Sequence, residues 1–268
     1  MVSTVQQQKF GFTVLGSGSN GNATVIHCPD GKNILLDAGF SAKELCTRMD
    51  KRAIAPESIC GILITHSHDD HIRGCRVFAD RFGLPVYETP ETAQRISAEK
   101  NNATRVVLIT PGHKFDLCGL TVEPFAISHD VDAVAYTFHC NGMKLGYATD
   151  LGFTSLLVNT KLKSCHALVL ESNYEPEYLR NSGRPLQTKR RIMGRQGHLS
   201  NQDAMEAMKE LLCCETAHVV LAHLSRECND RCLVEKMLCE TLTDLRREDV
   251  SYAIASQDEP LETIWIEK

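Results

Sequence analysis

Six consecutive residues, His66-Ser67-His68-Asp69-Asp70-His71, carry three imidazoles and two carboxylates, directly after the run Gly61-Ile62-Leu63-Ile64-Thr65. Ionisable groups this dense at the end of a buried strand cost a large desolvation energy unless a cation compensates them. Imidazole combined with carboxylate suits borderline divalent ions such as zinc, manganese or iron. His66 and His68, two apart on a strand end, point to one side. Asp70 and His71 come from the turn or first helical residues that follow and aim at a second, neighbouring point. His-x-His-x-Asp-His therefore supplies ligands for two adjacent metals. A solvated turn with an aspartate capping a helix explains one carboxylate and leaves the histidines without a role.

A motif of this kind needs strands to bring further ligands to it. Short strands are expected over 12–15, 23–28 and 33–37, a capped helix over 41–49, then the strand into the motif. The spacing predicts helices over 75–82, ended by Gly83, and over 91–99, with strands at 86–88 and 106–109. Such alternation indicates an α/β layer arrangement. From 115 to 129 the pattern is β, and Asn141-Gly142 turns a hairpin between 135–139 and 144–149. A strand at 166–170 precedes the longest polar segment, 174–197, which reads as a basic loop. Helices over 202–212 and 230–246 alternate with strands at 218–222, 252–255 and 263–266. No repeat or linker divides the chain, so residues 1–268 are expected to form a single domain.

One motif invites a different reading. Gly16-Ser17-Gly18-Ser19-Asn20-Gly21 satisfies G-x-G-x-x-G, with Asp37 downstream as a ribose-binding acid. That fingerprint must open a helix, yet Ala23-Thr24-Val25-Ile26-His27-Cys28 alternates as a strand does. The glycines instead form a tight loop. Its amides and Ser17, Ser19 or Asn20 either face the metal site or simply turn the chain.

Composition sets the outer limits. With 268 residues and 43% of them hydrophobic, the chain can bury a sizeable core. A net charge of −5 provides no global field for nucleic acid, so such binding needs a local patch. Twelve cysteines are scattered, many in apolar segments such as Cys60, Cys75, Cys118, Cys140 and Cys165, where a thiol packs as a small hydrophobe. Residues 1–10 contain no apolar signal region, and no apolar run reaches membrane-spanning length. The expectation is a soluble, reduced, cytoplasmic protein with no membrane association and no inferable stable protein partner. Cys228, Cys232 and Cys239 have helical spacing without the Cys-x-x-Cys of a structural zinc site.

His66, His129, Asp150, Glu171, His198 and His223 each follow a β-run or open a helix, where open α/β architectures build their sites. A two-metal centre needs the motif plus one histidine per metal and a bridging carboxylate. His129, His223 and Asp150 fill those places. His27, His113, His139, His166 and His218 have no such company and are expected to be structural.

In this order the residues resemble the metallo-β-lactamase family over nearly the whole chain, which implies a four-layer αββα sandwich. Carried over by matching position, His66, His68 and His129 hold metal 1, Asp70, His71 and His223 hold metal 2, and Asp150 bridges. The sequence Leu168-Val169-Leu170-Glu171, then Gly197-His198-Leu199-Ser200, then Leu221-Ala222-His223-Leu224-Ser225-Arg226 is similar to phosphodiesterases such as ribonuclease Z. That likeness implies that Glu171 orients His198, which protonates the leaving oxygen. Asp70, Glu171 and His198 are thus the catalytic set. Gly16 to Asn22, Ile127-Ser128-His129-Asp130, Glu171-Ser172-Asn173 and Gly197-His198-Leu199-Ser200-Asn201 resemble the YycJ/WalJ-like subfamily, in which Tyr174 would be a histidine. There is no room between Asp150 and His198 for the clamping domain of β-CASP nucleases.

The resemblance implies a nucleic-acid phosphodiesterase, a DNA exonuclease of 5′ to 3′ direction. A hydroxide held between two divalent ions, zinc or manganese with iron also suitable, attacks phosphorus. Arg180, Arg184, Lys189, Arg190, Arg191 and Arg195 would bind flanking phosphates or would form a solvated face. Alternatives are a thioester, lactone or cyclic-nucleotide hydrolase on the same site, or a non-catalytic regulatory module.

Overall fold

The computed structural model describes residues 9–97 and 104–267. Its first six strands are β1 (Phe10–Gly16), β2 (Ala23–His27), β3 (Asn33–Leu36), β4 (Ile59–Leu63), β5 (Val86–Glu88) and β6 (Val106–Leu108). The next seven are β7 (Phe115–Leu117), β8 (Leu120–Ala126), β9 (Val134–Cys140), β10 (Met143–Ala148), β11 (Ala167–Glu171), β12 (His218–Ala222) and β13 (Ser251–Ile254). The last strand, β14 (Ile264–Ile266), returns to the edge of the first sheet. The two sheets run β14-β1-β2-β3-β4-β5-β6 and β13-β12-β11-β10-β9-β8-β7.

Burial at alternate positions explains why the sheets stack. On β11, Ala167 and Val169 face a core between the sheets, while Leu168 and Leu170 face outward beneath helices. The inter-sheet core holds Phe10, Phe12 and Val14 of β1 against Tyr136 and Phe138 of β9. Helices α1 (Ala42–Asp50), α2 (Asp69–Ile72), α3 (Cys75–Phe82) and α4 (Pro90–Ser97) belong to the first half of the chain. Leu45 and Met49 of α1 and Phe78 of α3 pack on Leu15, Val25 and Leu35, the outer face of the first sheet. The second half contains α5 (Leu156–Leu162), α6 (Pro176–Asn181), α7 (Leu186–Ile192), α8 (Asn201–Leu211) and α9 (Arg231–Asp244). Val158 of α5, Met208 of α8 and Val234 of α9 cover Leu168, Val219 and Leu221. The result is the expected αββα order of layers.

Parallel strands β3 to β6 and β10 to β13 require crossovers, and these place their carboxyl ends along one edge of the sandwich. Local chemistry agrees. Ser41 and Ser200 cap α1 and α8 by accepting the amides of Glu44 and Asp203. Asn141 and Gly142, at φ 49° and 82°, make the hairpin turn between β9 and β10.

Two expectations need correction. The 174–197 segment is not a loop, because α6 and α7 occupy much of it. Leu179 and Ile192 bury themselves with Tyr174 and Cys228 in a small apolar cluster. That cluster also accounts for Tyr174, which packs under the helices. Cys60 and Cys118 are bonded to each other, joining β4 to the β7–β8 turn, and the other ten cysteines are free. The free-thiol expectation therefore fails for that pair. The β pattern that begins at 115 is the β7–β8 hairpin, turned by Cys118 and Gly119 at φ 51° and 79°, and its last strand ends at Ala126. Of the helix expected over 91–99, residues 98 and 99 lie outside the described residues. No helix among the described residues is long and apolar enough to cross a membrane.

Phe138 is fully buried between the sheets and packs against Tyr136 with ring centroids 6.0 Å apart. Phe138→Ala should cost about 3–5 kcal/mol. Guanidinium denaturation followed by circular dichroism would show this as a lowered midpoint, and an unchanged midpoint would contradict the assigned core.

Candidate active site

Strand ends from both sheets meet at one edge. The motif after β4 delivers His66, His68, Asp70 and His71, with Asp70 and His71 in the first turn of α2. Asp150 follows β10, His223 follows β12 and Glu171 ends β11. His198 lies just before α8. Asp37, Asp150 and His223 have φ of 57°, 60° and 56°, a left-handed backbone that costs non-glycine residues about 1–3 kcal/mol each. Each terminates a strand with that turn, which aims its side chain back across the strand ends.

Two sets of donor atoms result. His66 Nε2 and His129 Nε2 approach His68 Nδ1 at 3.0 and 3.2 Å. Beside them, Asp70 Oδ2 lies 3.6 Å from both His71 Nε2 and His223 Nε2. Asp150 stands between the sets, with Oδ2 3.2 Å from His71 Nε2 and Oδ1 3.2 Å from His223 Nδ1. One ligand atom from each of His66, His71 and Asp150 falls within 4.8 Å of the others. Asp150 Oδ2 and His223 Nε2 are buried and make no hydrogen bond. Orphaned polar atoms of this kind are rare, and a cation at these points would satisfy both. The residues thus fit a divalent-metal centre, and the seven ligand candidates come together.

The nitrogens facing away from this centre are also occupied, as metal-ligating histidines require. His71 Nδ1 donates to Asp37 Oδ2 at 2.7 Å, and Asp37 also accepts the Thr65 amide and hydroxyl. His223 Nδ1 donates to Glu171 Oε1 at 2.7 Å. His129 Nδ1 donates to the Gly197 carbonyl at 3.2 Å, and His66 Nδ1 pairs with the Thr65 hydroxyl at 3.0 Å. Glu171 Oε1 also accepts from His198 Nδ1 at 2.9 Å, while its Oε2 accepts the Leu151 and Leu199 amides.

The Gly16–Asn22 loop does face the site. Ser17 Oγ accepts the His223 amide and donates to Asn22 Oδ1, and Asn22 Nδ2 donates to Asp70 Oδ2 at 3.3 Å. Asn22 Nδ2 is also 3.0 Å from His71 Nε2. Behind it, a Cβ on Gly39 would lie 1.7 Å from the Asp70 carbonyl oxygen, so this close approach admits only glycine. Asp37 and Asn22 join the site although no ligand role was expected of either. Asp37 obeys the same rule as the other members, a polar residue directly after an apolar strand. By contrast, His27 pairs with Thr13 and Asn33, and His139 with Thr137, in structural roles.

Charge follows burial. Desolvation drives the His66, His68 and His129 imidazoles below their ordinary value, toward the neutral form that binds metals. Burial also opposes charge on His223, but Asp150, Asp70 and Glu171 overcome it and raise the imidazole to about 10. His71 is likewise raised well above its usual value, burial being outweighed by Asp37 and Asp150. Asp150 is fully buried, yet His223 and His71 hold its carboxyl well below the usual range.

A cleft of about 360 Å³ opens onto these groups, lined by His68, Asp70, Asp150, His198, Arg184 and Arg191 among others. Of the basic residues expected to bind substrate, Arg184 and Arg191 reach it. Lys189 does not, because its ammonium is turned onto the Arg180 and Ser182 carbonyls. Arg190 is exposed on α7, and Arg195 stacks on Phe153 at 4.1 Å.

Comparison with known proteins gives a consistent picture. Residues 32–224 match the family model of the β-lactamase superfamily domain. The exodeoxyribonuclease YycJ of Bacillus anthracis is 35% identical over 236 residues, covering 87% of this chain and 89% of that protein. The exodeoxyribonuclease WalJ of Streptococcus pneumoniae is 32% identical, covering 82% of this chain and 83% of that protein. Among solved structures, the metallo-β-lactamase-fold protein YhfI of Bacillus subtilis superposes with a TM-score of 0.71 at 16% identity, over 94% of this chain and 99% of that one. That likeness concerns the fold alone.

Because Asp37 and Asp150 favour the charged form of His71, and Asp150, Asp70 and Glu171 that of His223, a cation binding there competes with protons. Metal uptake at pH 7 should therefore release protons, and apparent affinity should rise with pH up to about 10. Calorimetric titration in buffers of different ionisation enthalpy reads this directly. Heats independent of the buffer would contradict it.

Proposed function

Because the chain belongs to the β-lactamase superfamily and, within it, to the group of the YycJ and WalJ proteins, we propose that it is a binuclear metal-dependent exodeoxyribonuclease working 5′ to 3′. His66, His68 and His129 would hold one divalent ion and Asp70, His71 and His223 a second, with Asp150 available to both sets. Zinc and manganese suit this mixture of imidazole and carboxylate, and iron also fits. Two such ions would supply an activated water and neutralise charge on the phosphoryl oxygens.

The protein's own residues do the rest. Arg184 and Arg191, at the cleft, hold the phosphates flanking the scissile bond. Glu171 fixes His198 by accepting its Nδ1–H, which leaves Nε2 to pass a proton to the departing oxygen. The observation that carries this reading is the shared carboxylate. Glu171 Oε1 takes hydrogen bonds from both His198 and His223. Through it, the proton donor and a metal ligand are set by one buried group.

We place the enzyme in the cytoplasm as a single catalytic domain. Ten of the twelve cysteines are free, against the single Cys60–Cys118 bond, and that balance supports a reducing compartment.

The test uses duplex and single-stranded oligonucleotides labelled at either end, with each metal in turn. Stepwise release of nucleotides from the 5′ end is expected, and activity confined to small esters would overturn the reading. His198→Ala should lower kcat about 10²- to 10⁴-fold while bound metal stays at the wild-type level. Full turnover in that variant would remove the proposed proton donor.

A further inference from the structure

Four of the five ligating imidazoles have their outward nitrogen fixed by Thr65, Asp37, Gly197 or Glu171. For His68 the ligating atom is Nδ1, so the outward nitrogen is Nε2, and it faces Asp130 Oδ1 at 3.2 Å. The same oxygen is 3.4 Å from His129 Nε2. The other oxygen, Asp130 Oδ2, accepts a hydrogen bond of 2.8 Å from Arg191 Nη1 on α7. Arg191 and His68 both line the cleft.

We infer that Asp130 is a positioning residue that orients His68 through Nε2 and seats Arg191 at the mouth of the cleft, so that one carboxylate couples the phosphate-holding helix to the metal centre. The Arg191 half of this inference rests on the nuclease reading. The His68 half requires only that the histidines bind metal. An exposed arginine–carboxylate pair adds little stability by itself, since its charges are screened by water. Here the carboxylate does something else. His68 and Arg191 come from different halves of the chain, and Asp130 is the group through which their positions are set together. Arg184, the other cleft arginine, is held instead by Glu227 at 2.8 Å. Asp130 thus stands to metal 1 as Asp37 stands to metal 2, with one difference. Asp37 is sealed inside the protein, whereas Asp130 lies at the rim and can serve a second side chain.

The test compares the full-length wild type with Asp130→Ala, Asp130→Asn and Arg191→Ala. Co(II) titration against a competing chelator, with the visible Co(II) absorption, reads metal binding without any assay of activity. Asp130→Ala should weaken one binding step about 10- to 100-fold, change the Co(II) spectrum and raise KM on an oligonucleotide. Asp130→Asn keeps an acceptor for His68 and loses the charge for Arg191, so it should bind Co(II) within a few-fold of wild type while raising KM. It also serves as the control for folding. Arg191→Ala should leave the Co(II) titration and spectrum unchanged and raise KM alone. The inference is overturned if Asp130→Ala and Asp130→Asn both titrate as wild type, or if Arg191→Ala alters the spectrum as much as Asp130→Ala. If the wild type binds a single Co(II), the two-metal reading fails. The inference is then judged on that one step by the same criteria. If the wild type cleaves no DNA, the nuclease reading fails and the Co(II) arm still decides the role of Asp130 toward His68.

Discussion

Asp150 is a carboxylate buried where two sheets meet, held ionised by His71 and His223. Isolated, such a charge would cost many kcal/mol, because the interior solvates ions poorly. Around it the chain assembles compensating groups, and the geometry of the whole edge follows from that need. Imidazoles approach Asp150 from the first sheet through His71 and from the second through His223. Glu171 and Asp37 then fix the far side of those rings. Buried carboxylates around His71 and His223 favour their charged forms, which offset that charge. A divalent cation would offset it with more charge, in a geometry that the backbone has already prepared.

The preparation is visible in the backbone. Asp37 and His223 take a left-handed turn directly after a strand, and Asp150 does so two residues beyond one. Glycine would adopt it without strain, so the presence of ionisable residues there means that the side chain matters more than local comfort. The loop from Gly16 to Asn22 braces the same groups, with Ser17 holding the His223 backbone and Asn22 holding Asp70. Packing between the sheets, through Phe12, Tyr136 and Phe138, keeps the two edges in register so that ligands from distant parts of the sequence meet. Tyr136 adds a direct tie, its hydroxyl donating to the Ile64 carbonyl at 2.7 Å, just ahead of the motif.

Much of this was legible in the sequence, for physical reasons. His-x-His-x-Asp-His has few explanations other than metal, and the rule that polar residues following apolar strands or opening helices build sites picked out His129, Asp150, Glu171, His198 and His223. Strands and long helices followed from periodicity because one side of each is buried. What the sequence concealed depends on three-dimensional partners. Asp37 looked like a ribose-binding acid beside a glycine-rich loop, and only its contact with His71 reveals its place. The 174–197 segment looked like a loop because its apolar positions, Leu179 and Ile192, are sparse and find Tyr174 and Cys228 only in the fold. Lys189 counted as a free cation in the sequence, yet it is spent on backbone carbonyls. The Cys60–Cys118 pairing links residues far apart in the chain, and no spacing rule anticipates it.

The central claim is that two metal ions occupy the two donor sets joined by Asp150. Anomalous diffraction from crystals grown with manganese measures this most directly. The account predicts two difference peaks, one among His66, His68 and His129 and one among Asp70, His71 and His223, with Asp150 touching both. A single peak at saturating manganese, or peaks held by other residues, would contradict it.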